Sequence, residues 1–135
     1  MSWFEDIEPK ILTILETSIA REEITFTRDP KILSAVSLPC VYAHCLLMRE
    51  GARDLMQDEV HAVDYSEQID IYTNEGKEEA EEICSLVMAV MKKNQFIIEQ
   101  FPIYFEGGTM RAVMRFNRVI SANDKVFGTT NRDKE

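Results

Sequence analysis

The residues of this chain whose types can do chemistry are two histidines, His44 and His61, and two cysteines near the first of them, Cys40 and Cys45. Imidazole and thiolate groups are common zinc ligands, but the spacing of these four residues matches no recurrent ligand pattern. Cys40 with a histidine would also make a nucleophile pair. A cysteine between a proline and a valine more often behaves as a small buried hydrophobic residue. The sequence therefore predicts no metal site, no cofactor and no catalytic residue.

An acidic block at the start of a predicted helix is a second candidate site. It consists of Glu78, Glu79, Glu81 and Glu82. Crowded carboxylates can bind a cation, but in the first turns of a helix they more simply form a solvated surface that the helix dipole favours. A phosphate-binding loop would need a glycine-rich sequence between a strand and a helix. The pair Gly107-Gly108 lies between two predicted strands instead, so nucleotide chemistry is not expected.

Two arginines, Arg111 and Arg115, lie on the same face of one predicted strand. Guanidinium groups at this spacing can clamp an anion or pair with Asp or Glu on a neighbour. The alternative is an ordinary exposed face of a sheet. The residues alone leave these possibilities open.

Two periodicities mark the elements that position these side chains. In residues 63–71 apolar and polar residues alternate, which predicts a strand with one buried face, and Glu67 is the exception on that face. From Lys77 to Lys93 the apolar residues are spaced to form one stripe along a helix. The stripe consists of Ala80, Ile83, Cys84, Val87, Val90 and Met91. Because the apolar face of the strand and the apolar stripe of the helix each need an apolar partner, we expect the helix to cover the strand.

The N-terminal residues predict a second helix. Ser2 and Glu5 have the spacing of a capping box, so the helix should begin there. Pro9 lies inside the pattern and removes a backbone donor, which predicts either a kink or a later start of the helix. Trp3 is interpreted as a core anchor, with a subunit contact as the alternative.

Further strands are predicted at residues 24–28, 39–47, 95–105 and 110–120, with Arg118 breaking the apolar face of the last strand. The predicted fold is a single α+β domain, residues 1–122, with a mixed or mainly antiparallel sheet of four or more strands covered by two helices. Residues 123–135 are expected to form a polar, flexible C-terminal tail, with Val126 and Phe127 as its only anchor.

The charged segment of residues 48–59 is predicted to be a long hairpin tip or a mobile loop. Loops of this length in compact domains are often functional, so this one is expected to contact partners. Together with the two arginines of the late strand, the candidate partner or subunit contacts are Arg49, Arg53, Asp54, Leu55, Met56, Asp58, Arg111 and Arg115.

Composition excludes several classes of function. The formal net charge of −9 opposes a role in gripping nucleic acid, because such proteins normally present a basic face. The apolar runs are far shorter than the roughly 20 residues of a membrane span, so no membrane partner is expected. Three cysteines without a Cys-x-x-Cys pair or a secretory leader favour a reducing compartment without disulfides.

The order of these elements resembles that of the tail terminator, or tail completion, proteins of long-tailed phages and phage-tail-like particles. The resemblance covers roughly residues 1–121. It lies in an N-terminal helix, a strand near LPCVYAHCL, a charged loop, the segment YSEQIDIYTNEG followed by KEEAEEICSLVMAVMKKNQF, and a closing hairpin that ends RAVMRFNRVIS.

The resemblance implies a structural assembly protein without enzymatic activity. Such a protein forms a homo-oligomeric ring, expected to be a hexamer, at the head-proximal end of the tail tube. The ring stops tube growth and offers a surface to the head connector protein, and DNA passes through without being gripped. The implied location is the virion tail, or the host cytoplasm during assembly. The alternatives are a head-side neck or connector protein and a small α+β enzyme or ligand-binding module, which would require a pocket of convergent polar groups.

Overall fold

The computed structural model describes residues 3–30, 37–54 and 59–128, and the side chains of residues 52–54 and 59 are outside that description. A short 3-10 helix at Trp3–Asp6 precedes all other elements. The helices and strands are α1 (Ile7–Ile19), β1 (Thr25–Thr27), β2 (Cys40–Asp54), β3 (Glu59–Thr73), α2 (Lys77–Lys93), β4 (Ile97–Phe105) and β5 (Met110–Ser121).

The strands form one five-stranded sheet in the order β1-β2-β3-β5-β4. β1 pairs with β2 in parallel, and the other neighbours are antiparallel. Helices α1 and α2 share one core with the sheet, which confirms the predicted α+β fold with a mixed sheet and two helices. We call the side of the sheet that faces away from the helices the open face.

The two periodic segments fold as predicted. The odd-numbered residues of β3 from Val63 to Ile71 are all buried, and Glu67 among them is completely buried. Helix α2 has the predicted bounds, and its stripe is buried except for Val90, which is half-buried. Burial of these two apolar surfaces against each other removes hydrocarbon from water along the whole length of the helix.

The N-terminal helix begins later than the capping box predicts. Residues Trp3–Asp6 form the 3-10 helix, and α1 starts at Ile7. Pro9 is then the third residue of α1, where an intrahelical donor is not needed, so the helix accommodates it in its first turn. Ser2 lies outside the described residues. Trp3 is buried and its indole nitrogen Nε1 donates to the Val60 carbonyl oxygen at 3.2 Å, which confirms its interpretation as a core anchor.

Residues 48–54 and 59 belong to a long β2–β3 hairpin, which confirms the hairpin alternative for this segment, and the mobile-loop alternative is wrong for these described residues. β2 continues to Asp54 and β3 begins at Glu59, and the pairing extends from Cys40 opposite Tyr72 to Asp54 opposite Glu59. In the outer half of β2, the consecutive residues Arg49, Glu50 and Gly51 are all exposed to solvent. Two-residue alternation is therefore missing from the sequence although the strand continues. Residues 55–58 lie outside the described residues.

The chain after β5 packs back onto the core. Phe127 is buried, which confirms it as an anchor, whereas Val126, which was predicted with it, is 39% exposed. The guanidinium of Arg118 lies 6.0 Å from the ring centroid of Phe96 and 5.5 Å from that of Phe127, and it also pairs with Asp124. The apolar face of β5 thus accepts Arg118 because two aromatic rings and a carboxylate surround its charge. Residues 129–135 of the predicted tail lie outside the described residues.

Candidate functional site

The open face of the sheet carries a ladder of polar side chains on its central strands, and Asp70 of β3 is the hub of this ladder. The carboxylate oxygen Oδ2 of Asp70 accepts from Nη2 and Nε of Arg111, at 2.8 and 3.2 Å, and from the Tyr72 hydroxyl at 3.3 Å. Its other oxygen accepts from Gln68 at 3.1 Å. The Asp70 side chain is only 2% exposed. Arg111 therefore pairs with a carboxylate on the neighbouring strand, one of the alternatives that the sequence left open.

The ladder continues along β3 with other donors. Arg115 donates from Nε to the amide oxygen of Gln68 at 3.3 Å. Asn117 donates to Asp64 at 2.8 Å, and Arg49 of β2 donates to the same carboxylate at 2.9 Å. These two hydrogen bonds lower the pKa of Asp64. The ladder is thus satisfied within the chain, which gives the centre of the open face a fixed pattern of charges.

The outer strand β4 is different, because its exposed side chains are large and apolar. We call Ile97, Phe101, Ile103 and Phe105 the β4 row; they are 63%, 67%, 47% and 49% exposed. Ile97, Ile103 and Phe105 pair opposite Asn117, Val113 and Arg111, which places them on the open face. Contiguous exposed apolar side chains of this size mark interaction sites more often than ordinary surface.

The free edge of β4 is poorly suited to pairing with another strand. Pro102 lies inside the strand and has no N–H to donate, and the register with β5 shifts between Ile98 and Gln100 and again between Gln100 and Ile103. Proline and bulges are the usual devices that keep an edge strand from adding further strands. A partner would therefore contact β4 through the side chains of the row and not through its backbone.

A second exposed apolar pair lies on β2. Leu46 and Leu47 are 42% and 49% exposed, and we call them the β2 patch. The register between β2 and β3 shifts between Cys45 and Leu47, so Leu46 lies at a bulge and Leu47 pairs opposite Ser66. Bulges redirect side chains and are frequent at the edges of sheets. The bulge here places two consecutive leucines at the surface.

The predicted contact residues divide into three groups. Arg49, Arg111 and Arg115 lie on the open face and take part in the polar ladder. Arg53 and Asp54 lie in β2, where their side chains are outside the described part. Leu55, Met56 and Asp58 lie outside the described residues altogether.

Sequence reasoning missed the β4 row. Residues 95–105 contain apolar residues of both parities, so the alternation does not show which face is buried. The exposure of Phe101 and Phe105 follows from the position of β4 as the last strand of the sheet, where Ile98 and Tyr104 pack against the core and the β4 row does not.

The residues first considered for metal or nucleophilic chemistry lie on two neighbouring strands, with Cys40, His44 and Cys45 on β2 and His61 on β3. Cys40 and Cys84 are buried, and burial raises the pKa of each thiol to about 11. His44 stacks on Tyr42 with 4.4 Å between ring centroids, and His61 is exposed on β3. Within residues 3–30, 37–54 and 59–128, no group of three or more His, Cys, Asp or Glu side chains is arranged to hold a metal ion.

The acidic block on α2 is partly neutralised by a cation from the turn before β1. Arg21 pairs with Glu79 at 2.9 Å and with Glu82 at 3.5 Å. Glu78 and Glu81 are exposed to solvent. This arrangement is the solvated helix surface that the sequence favours over a cation site.

In the described part of the chain, neither helix has the length and apolar character needed to cross a membrane. Comparison of the sequence with protein-family models gives no match, and comparison with curated proteins gives none either.

Proposed function

We propose that this chain is a structural subunit that caps the head-proximal end of a phage tail tube as a homo-oligomeric ring, expected to be a hexamer. The ring ends growth of the tube and offers a surface to the head connector protein. The subunit acts through its surfaces and not through catalysis. It works in the virion tail, after assembly in the host cytoplasm.

The observation that carries the proposal is the β4 row. The fold already buries its two helices against one face of the sheet, yet it leaves four large apolar side chains at the surface of its outer strand. A protein that works alone gains nothing from exposing them, whereas a subunit of an assembly buries them against its neighbour. Because the ladder beside the row is internally satisfied, a neighbour can cover the row without stranding charges.

The arrangement of the elements also supports the resemblance to tail terminator proteins. The strand that contains QIDIY and the strand that contains MRFNRVI are β3 and β5, which pair side by side within the sheet. The helix between them in sequence is α2, which packs on the buried face of both strands. The segments that carry the resemblance thus form one contiguous unit.

Charge supports the passage of DNA without binding. Asp and Glu outnumber Lys and Arg by 24 to 15. Arg111 already bonds to Asp70 in the chain, and Arg115 bonds to Gln68. A lining with few available cations lets phosphates slide, since each phosphate contact would release counterions and add affinity.

The experiment that tests the proposal is light scattering of the purified protein, alone and mixed with the tail tube protein of the same particle. We expect a ring-sized species that binds the tube protein. Phe101→Asp should abolish the large species, whereas Ala89→Asp, which adds the same charge to the exposed side of α2, should not. A monomer that ignores the tube protein would contradict the proposal. Binding to the head connector alone would indicate a head-side neck protein instead.

A further inference from the structure

We infer that each contact in the assembly is head-to-tail, with the β4 row of one copy packed against the β2 patch of a second copy of this chain. The inference rests on the proposed function, because it specifies which surfaces join neighbouring subunits. The partner that covers the β4 row is a second copy of this chain.

The two surfaces are separate on the molecule. β3 and β5 lie between β2 and β4, so three inter-strand steps of about 4.8 Å place the patches roughly 14 Å apart. Because β1 pairs only with residues 40–42 of β2, the β2 patch and the β4 row lie at opposite edges of the sheet formed by the described strands, and two neighbours can approach them from opposite sides. A contact between two different surfaces leaves one of each unused at the ends of a chain of subunits, and such a chain closes into a ring when the rotation permits.

Charge favours this pairing over contact of the β4 row with itself. Glu99 lies within β4 and Glu106 follows it, and both are exposed. Packing the row on its own copy would bring these carboxylates together, and like charges at an interface are costly. The β2 patch offers a cation instead, because Arg49 follows Leu47 on the open face and its side chain is 66% exposed.

The Arg49 guanidinium can donate a hydrogen bond to an additional partner. Its Nη2 bonds to Asp64 at 2.9 Å, but a guanidinium has five N–H donors. A glutamate from a second copy can therefore bond to the same group without breaking the existing ion pair. Contact through strand addition is disfavoured because Pro102 has no N–H to donate.

Two one-sided variants test the inference. Phe101→Asp disables the β4 row and leaves the β2 patch intact, while Leu47→Asp does the reverse. Each variant alone should be a monomer by light scattering, and an equal mixture of the two should give one heterodimer. The heterodimer forms because the Leu47→Asp protein retains the β4 row and the Phe101→Asp protein retains the β2 patch. If Leu47→Asp still assembles like the wild type, or if the mixture stays monomeric, the inference is wrong.

A charge variant adds a second readout. Glu99→Lys should weaken self-association by roughly tenfold or more, whereas Glu22→Lys, an identical change at an exposed residue before β1, should leave it unchanged. Equal effects of the two variants would overturn the role of Glu99. Phe101→Ser and Leu47→Ser replace the aspartate variants if either fails to fold by circular dichroism.

The outcomes separate this inference from the proposed function. If the wild type caps tail tubes but Leu47→Asp does so equally well, the head-to-tail contact is wrong and the proposed function stands. If the one-sided variants form the heterodimer but the wild type never binds a tube, the contact stands and the proposed function is wrong.

Discussion

The Tyr65 hydroxyl donates a hydrogen bond to the Glu67 carboxyl oxygen Oε1 at 2.6 Å, and both side chains are buried. The other oxygen of Glu67 has no hydrogen-bond partner among the described residues. Cys45 pairs opposite Glu67 on β2, and Glu8 of α1 accepts from the Cys45 backbone nitrogen at 2.6 Å. A carboxyl group thus lies in the core with one hydrogen bond and a second carboxylate nearby.

This burial predicts that stability falls as pH rises. Burial raises the pKa of Glu67 to about 8; the Tyr65 hydrogen bond opposes the rise, and the charge of Glu8 adds to it. Because the pKa is raised on folding, the contribution of Glu67 to stability is fully present below about pH 4.5 and is lost progressively up to about pH 8. The loss should amount to a few kcal/mol. Urea unfolding across this range measures it.

Glu67→Gln is the matched variant, because it keeps the shape and an oxygen that accepts from Tyr65. It should unfold at a similar urea concentration to the wild type near pH 5 and be more stable than the wild type near pH 9. The variant should therefore lose most of the pH dependence between those values. Identical pH profiles for the two proteins would show that Glu67 does not titrate in the core.

Arg111→Ala should destabilise the fold, although the residue lies at the surface. It leaves the carboxylate of Asp70, which is 2% exposed, without its cation. We expect a loss of about 2 kcal/mol in the free energy of unfolding, measured by urea denaturation. Arg115→Ala is the control and should cost less than about 1 kcal/mol, because Arg115 donates only to the neutral Gln68. Equal losses would contradict the role of Asp70 as the hub.

Arg118→Ala should release the segment that follows β5. The arginine contacts the rings of Phe96 and Phe127 and pairs with Asp124, so its loss removes the charge that these groups surround. Hydrogen exchange in residues 122–128 should become faster, while exchange in α2 stays unchanged.

Gly128→Ala tests the same segment independently. A Cβ at this position would lie 2.2 Å from the Ala122 carbonyl oxygen, so the backbone would have to move. Both variants should expose the segment to a protease. Wild-type exchange rates in residues 122–128 of either variant would show that the segment is held by other contacts.

DNA binding should be absent at physiological salt. The net charge is −9, and Arg111 and Arg115 are bonded within the chain. A filter-binding assay should retain no appreciable DNA. Micromolar binding that weakens steeply with salt would overturn this expectation and favour a nucleic-acid-binding role.

The elements with strong periodicity were predictable, and those without it were not. The alternation in residues 63–71 and the stripe on α2 reflect burial of one face only, so the sequence records them directly. The outer half of β2 has polar residues and bulges, which erase the alternation, so the sequence alone leaves both a long hairpin tip and a mobile loop open there. Strand pairing, and not side-chain pattern, determines the structure there.

The candidate site was predictable only in part. Arg111 and Arg115 could be placed on one face of a strand, but their partners depend on which strand lies beside β5. The β4 row could not be recognised, because exposure of Phe101 depends on β4 being the last strand of the sheet. Strand order is a property of the whole chain, so a local pattern does not contain it.

The most direct measurement is electron microscopy of tail tubes polymerised with and without this protein. With the wild type, we expect growth to stop and one end of each tube to carry a ring of six subunits. Phe101→Asp should leave the tubes uncapped, and Ala89→Asp should cap them normally. Tubes that grow to the same lengths without any added ring in the presence of the folded wild type would contradict the proposed function.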